Sequence, residues 1–239
     1  MAGIDQKTIE LIRTASTASI TGYLYKKHGM RIRAVAGVSP LNAARCRFAG
    51  PAFTMRYVPQ REDLNTSTDL GSPTSVVLAA TESIARGDVL VLDMLRDASV
   101  GALGDVLTTR FIDCGVAGVV ADGGMRDVRE LRDMSLPIFC AGAAAPPSPC
   151  SLMAIAIQQP IACGGVVVFP GDLIVGDEDG VVVVPAHLAR ETAEQAAEKE
   201  IQDNWTRRLV AGGGGIRGRY PPDAAHLEMY KRWRSDRKP

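Results

Sequence analysis

A glycine-rich turn, Gly101-Ala-Leu-Gly104, runs straight into Asp105, and twenty residues later the chain presents the pair Arg126-Asp127. A turn of this kind opening a helix leaves backbone N–H groups without intrahelical partners, and such groups suit a bound carboxylate. Arg126 adds a planar, bidentate anion donor, and Asp127 a hard oxygen ligand for a divalent cation. The combination points to a small oxo acid held against a metal ion. Neither half suffices alone. An isolated glycine turn is an ordinary strand-to-helix connection, and an Arg-Asp pair by itself is an ordinary ion pair. Their placement on either side of one buried strand joins them into a site.

That strand is predicted from the apolar run Val116-Ala-Gly-Val-Val-Ala121, closed by Asp122-Gly-Gly124. A helix over 103–113 precedes it, and a short helix over 127–133 follows. Val89-Leu-Val-Leu-Asp93 reads as a strand buried on both faces, and Pro137-Ile-Phe-Cys140 as another brief strand. Upstream, helices are predicted over 5–14 and 17–27, with Ser16, Thr17 and Ser19 as cap or first-turn residues. Alternation over 52–58 fits a strand, residues 59–68 are polar and turn-rich, and a helix over 72–86 is expected to start near Ser72-Pro73. The second half changes character. Strands at 166–169, 172–175 and 180–184 are separated by Pro170-Gly171 and by Asp177-Glu-Asp-Gly180, which is turn chemistry for hairpins and small β-arcs rather than further βαβ units. The acidic turn lacks the ligand spacing of a calcium loop. A long helix over 186–209 carries Glu191, Glu194, Glu198 and Glu200, and Gly212 to Gly215 end it. The expected organisation is one mixed α/β domain over 1–215. A C-terminal arm, 216–239, ends in a short basic helix and is expected to pack on a neighbouring subunit.

Composition narrows the function classes. The chain has 239 residues, 46% hydrophobic and 23% charged, with 27 basic and 27 acidic side chains. That balance gives no global field for nucleic acid or an anionic membrane, so neither is expected as a partner. The apolar runs are strand-sized, and the N-terminus lacks the pattern of a signal peptide, so a cytoplasmic protein is expected. Five widely spaced cysteines without a C-x-x-C pair predict reduced, mostly buried thiols. His28, His187 and His226 stand apart from one another and form no metal-ligand pair at helical spacing.

At Gly101-x-x-x-Asp105, twenty residues, Arg126-Asp127, the chain resembles the RraA-like family. That family comprises the 4-hydroxy-4-methyl-2-oxoglutarate aldolases and the regulators of ribonuclease E activity. Supporting matches are Phe48-Ala-Gly-Pro-Ala-Phe-Thr54, Gly87-Asp-Val-Leu-Val-Leu-Asp93, Gly115-Val-Ala-Gly118 with Asp122-Gly123, and Gly171-Asp-Leu-Ile-Val-Gly-Asp177 with Asp179-Gly-Val-Val-Val-Val-Pro185. The likeness extends over roughly residues 15–215. It implies an α/β fold of the β/β/α swivelling-domain type, a single sandwich-like domain, assembled as a homotrimer or hexamer with sites between subunits.

Position by position, the resemblance implies that backbone amides of Gly104, Asp105, Val106 and Leu107 hold the carboxylate of a pyruvate-type substrate. Arg126 binds the oxo-acid end and stabilises the enolate oxygen, Asp127 holds Mg²⁺ or Mn²⁺, and Asp105 orients the metal's waters. A glutamate from a neighbouring subunit completes the site; Glu200 is the match here, with Glu198 as the fallback. The implied activity is a metal-dependent carbon–carbon lyase, working by retro-aldol cleavage or decarboxylation through a stabilised enolate without a lysine Schiff base. The rival from another class is a non-catalytic regulator that binds ribonuclease E or a related protein, and the long helix with Glu198 and Glu200 favours the enzyme. A methyltransferase lacks a glycine-rich cofactor motif after the first strand. The chain also departs from the better-known members. Ser19-Ile-Thr-Gly-Tyr23 stands where an Asp is common, and Arg61-Glu-Asp63 adds charges where aldolases meet the distal substrate. These departures leave open a sugar-derived oxo acid, a malonate-like polyol acid or an aromatic-degradation intermediate.

Overall fold

The computed structural model describes residues 3–63 and 72–236. Helices α1 (Gln6–Ile12) and α2 (Thr17–His28) lead into β1 (Ser39–Pro40) and β2 (Phe48–Pro59), followed by α3 (Val76–Ser83) and β3 (Val89–Asp93). Then come α4 (Asp105–Cys114), β4 (Gly118–Met125), α5 (Val128–Asp133), β5 (Ile138–Ala143), β6 (Leu152–Ile157) and β7 (Ile161–Cys163). The chain closes with β8 (Val166–Val168), β9 (Leu173–Asp177), β10 (Gly180–Val184), α6 (Ala189–Ala211) and α7 (Ala224–Ser235).

One sheet runs in the order β1-β5-β4-β3-β2-β9-β10, with β6 also on β2, and β7 and β8 form a separate hairpin. Strand β2 is the hinge of this topology. It pairs in parallel with β3 along Ala52–Arg56, while its other pairings are antiparallel, with β9 over Phe48–Pro51 and with β6 over Met55–Pro59. One long strand shared among three neighbours lets a twisted sheet curl into a nearly closed barrel. The β2-β3-β4-β5 stretch is parallel and its crossovers carry α3, α4 and α5. This half obeys the βαβ rules, whereas β9-β10 is the hairpin that the turn Asp177–Gly180 predicts.

Three cores result. Leu90 and Leu92 of β3 pack with Phe111 of α4 and Leu131 of α5. Val89 and Val91, on the opposite face of the same strand, join Phe48, Phe139, Cys163 and Val183 inside the barrel. Burial on both faces is why β3 reads as an unbroken apolar run. The third core sets Ile12, Ile20 and Leu24 against Val175, Val182 and Val184, covered by Ala193 and Ala196 of α6.

The structure corrects two expectations. Helix α3 begins at Val76, with Ser75 as its N-cap accepting from Leu78 N, so Pro73 lies before the helix rather than in its first turn. Strands β6 and β7 were not predicted. Their local sequence carries no alternation; β6 becomes a strand through a partner distant in sequence, β2, and β7 through a tight hairpin with β8 across Gly164-Gly165. Of the polar segment 59–68, residues 64–68 lie outside the described residues, as do residues 237–239 at the end of the arm. Beyond Gly215, the arm turns back on its own chain. Trp205 of α6 meets the rings of His226, Tyr230 and Trp233 of α7, and the Thr206 hydroxyl bonds His226 Nε2 at 2.9 Å. All five cysteines are free thiols; Cys46, Cys140 and Cys163 are buried, Cys114 is half-buried and Cys150 is exposed. Among the described residues, no helix is long and apolar enough to cross a membrane.

Candidate active site

Beyond the C-terminal ends of β3 and β4, two chain segments cross at close range, and glycines allow it. Residues 101–104 lie along the end of β4. Gly101 bridges Gly124 and Pro147, Ala102 N donates to Gly124 O at 3.0 Å, and Arg126 N donates to Leu103 O at 3.0 Å. A Cβ at Gly101 would overlap the Arg126 side chain, and one at Gly124 would run into the carbonyls of Ala98 and Val100. The Asp122-Gly-Gly124 signature therefore reflects backbone laid on backbone.

Helix α4 begins here. Gly104 is its N-cap and offers no side chain to the first-turn N–H groups behind it. The carboxylate of Asp127 stands in that place. Its Oδ2 lies 3.4 Å from Asp105 N, and a Cβ at Gly104 would collide with it. Asp105 turns its own Oδ1 onto Val106 N at 2.7 Å. Asp127 adopts a left-handed backbone (φ 50°, ψ 37°) as it caps α5, and this aims its side chain back at α4. Asp127 is exposed and Arg126 half-buried, while Val106 at the helix head is 77% exposed. The site is an open helix head, faced by the Asp127 carboxylate with Arg126 next to it in the chain.

Two buried acids brace the loop that leads into it. Asp122 accepts from Met94 N (2.7 Å) and Gly164 N (3.0 Å), and Asp93 from Leu95 N and Ala162 N, both at 3.2 Å. Burial pushes the Asp122 carboxyl above its ordinary range, although the two amide donors oppose the shift. Leu95 and Arg96 in this loop both take left-handed backbones (φ 58° and 60°), held by these bonds. Sequence reasoning gave the two acids no role. The only signal was a lone aspartate ending each of two apolar strands.

Arg126, Asp127, Asp105 and the amides from Gly104 to Leu107 are thus brought together. Glu200 does not join them within the chain. It sits on α6 facing α2, where its Oε1 accepts from Ser16 N (3.1 Å), Ser16 Oγ (2.5 Å) and Ser19 Oγ (2.7 Å). Burial would raise its pKa, but the serine donors outweigh it and hold the carboxyl below its usual value of 4.5. Glu198, the fallback, accepts from the Tyr230 hydroxyl and pairs with Arg234. Both glutamates line a cavity of about 860 Å³ between α2, α6 and the start of the arm.

Among the described residues, no three His, Cys, Asp or Glu side chains converge to hold a metal. The donor set at α4 still fits Mg²⁺ or Mn²⁺, which bind through one or two carboxylates and keep several waters. Asp127 supplies one carboxylate and Asp105 a second beside it, in a gap that only glycine at position 104 leaves open. A model of the RraA-like family, described as Aldolase/RraA, matches residues 14–183, a span that contains every element of this arrangement except Glu200. The chain belongs to the RraA-like family.

Relatives within and around the family include both of its named activities. The chain is 37% identical over 135 residues to a putative 4-hydroxy-4-methyl-2-oxoglutarate aldolase of Halalkalibacterium halodurans, covering 56% of this chain and 64% of the relative. It is 31% identical over 141 residues to the 4-hydroxy-4-methyl-2-oxoglutarate aldolase of Thermus thermophilus, covering 59% of this chain and 77% of the relative. Among solved structures it is similar to Streptomyces coelicolor RraAS2, described as an unusual member of the RNase ES inhibitor RraA protein family. The TM-score is 0.78 at 33% identity, over 87% of this chain and 98% of that one. The match with the Halalkalibacterium protein thus spans just under two thirds of that relative's length.

Proposed function

We propose that this RraA-like protein is a divalent-metal-dependent carbon–carbon lyase acting on a pyruvate-type 2-oxo acid by retro-aldol cleavage, decarboxylation or both. One observation carries the reading: the uncapped head of α4 faces the Asp127 carboxylate, with Arg126 alongside. Asp127 would hold Mg²⁺ or Mn²⁺, which supplies a Lewis acid for the oxo oxygen of the substrate. The amides from Gly104 to Leu107 bind the substrate carboxylate with the positive end of the α4 dipole behind them. Arg126 donates to the oxygen that becomes negative as the carbon–carbon bond breaks. Its backbone is pinned beside the helix head by the bond from Arg126 N to Leu103 O, which keeps the side chain within reach of that oxygen. Asp105 orients water at the helix head. In the retro-aldol reaction a base must also take the hydroxyl proton of the substrate, and Glu200 from a second copy of the chain, in a trimer or hexamer, is assigned that side of the site. Decarboxylation needs the same enolate stabilisation without that base.

Lactate dehydrogenase coupled to pyruvate release, with oxaloacetate and 4-hydroxy-2-oxo acids offered with and without Mg²⁺, tests the reading. Metal-dependent turnover is expected. Inactivity across the panel, or full activity in Asp127→Ala, would sink it. The likeness to RraAS2 over nearly the whole of that chain favours a second reading, a regulator that binds a ribonuclease E-type protein. Tight binding to such a partner by a chain inactive on the panel is the outcome that would establish it.

A further inference from the structure

The head of α2 holds more acid than a helix needs. Ser16 already caps it, its Oγ accepting from Ser19 N, and buried Asp177 already anchors the first turn by accepting from Thr17 N and Thr17 Oγ1, both at 2.7 Å. Glu200 nevertheless reaches across from α6 and receives three further donors, all on Oε1. Its Oε2 takes no hydrogen bond from the described residues, and the residue lines the 860 Å³ cavity. Three bonds to one oxygen of a carboxylate fix its rotation and leave the other oxygen directed outward. The helix gains little from them; the glutamate gains a defined orientation. We infer that Ser16 and Ser19 are positioning residues for Glu200, holding one carboxylate oxygen and turning the other toward the cavity, where a second copy's Arg126–Asp127 centre would meet it. This rests on the lyase reading, and it adds to it the residues that aim the base.

The other charged groups on the cavity are largely engaged elsewhere. Lys199 pairs with Asp203, Glu198 with Arg234, and Arg207 with Asn204 while exerting a weak attraction on Glu200, and Lys26 of α2 lines the cavity without an ion pair among the described residues. Ser19 is the clean position to test, because its hydroxyl serves Glu200 whereas that of Ser16 also caps the helix. Ser19→Ala is expected to lower kcat for a 4-hydroxy-2-oxo acid about tenfold, the scale of losing a group that orients a catalytic one. KM should change little, oxaloacetate decarboxylation should be spared, and Ser19→Thr should restore the rate. Carbon-13 NMR of the Glu200 carboxyl, which requires no turnover, should show its titration midpoint rising in Ser19→Ala. An active wild-type enzyme whose Ser19→Ala variant keeps both its kcat and its Glu200 midpoint would overturn the inference while leaving the lyase reading intact. If the wild-type chain is inactive on every substrate, the lyase reading falls and the inference falls with it.

Discussion

Helices α2 and α4 both begin beside a carboxylate, and the two heads are built to opposite ends. At α2 the first turn is held by groups from across the fold: Ser16 caps Ser19 N, buried Asp177 takes the Thr17 amide and hydroxyl at 2.7 Å, and Glu200 takes the Ser16 amide. At α4 the cap is a glycine without a side chain, Asp127 stands 3.4 Å from the Asp105 amide, and Val106 behind it is exposed. The first arrangement ties α1, α2 and α6 to the β9-β10 hairpin. The second leaves a positive helix end and a loosely engaged carboxylate facing outward. Short, largely buried bonds at the first head hold the fold together, while the exposed and weakly engaged carboxylate at the second has capacity left for a ligand.

Substitutions can break this contrast. The largest effect is expected from Arg126→Ala at the open head, which removes a preorganised donor and should lower kcat by about 10²–10³ while leaving thermal unfolding nearly unchanged. At the closed head the pattern should reverse. Thr17→Val removes a donor from the buried Asp177 carboxylate, and urea unfolding should show a loss of about 1–3 kcal/mol. The same variant should keep its activity under conditions where it is folded. Gly104→Ala sharpens the comparison further. The Gly104 backbone (φ −112°) is open to any residue, so the fold should tolerate the change. The added Cβ would displace Asp127 Oδ2, and the Mg²⁺ needed for half-maximal activity should rise about tenfold or more. If Gly104→Ala melts the protein and spares its metal response, the two heads are alike after all.

The smallest effect concerns pH at the closed head. Glu200 is held below its usual 4.5 in the folded chain, so the folded state binds fewer protons than the unfolded state as the pH falls. Its contribution should be complete above about pH 5 and fade as the pH drops through the lowered folded value. The difference in urea midpoint between wild type and Glu200→Gln should therefore be present at pH 7 and shrink steadily on acidification below the ordinary carboxylate range. A difference that grows on acidification contradicts the assignment.

The half of the molecule that carries the open head was the more legible in sequence. The strand at 89–93, the turn at 101–104 and the helix and strand that follow announce themselves through local apolar runs and glycines, because βαβ units are built from contacts between neighbours in the chain. Ser16 was legible as a cap for the same reason. Strand β6 was not, since its pairing is with the distant β2, nor was β7, a three-residue strand too short for a pattern to show although its partner β8 follows directly, and the N-terminus of α3 was misplaced because Ser75 competed successfully with Ser72-Pro73 as the cap. The bracing role of Asp93 and Asp122 was hidden as well, because their partners at 162 and 164 lie in a hairpin far along the chain.

By itself the sequence determined which groups stand at the head of α4: a glycine cap, an arginine, a pair of carboxylates and first-turn amides, close together in the chain. It also determined the family, because those residues are local and their spacing is rigid. Only the tertiary structure decided what each carboxylate faces. The left-handed backbone at Asp127 turns it onto the helix ahead of it, and the packing of α6 across α2 places Glu200 on serines 184 and 181 positions away. The reason is physical: a residue's type sets what it can bind, but the direction of its side chain is set by packing against segments that no local pattern specifies.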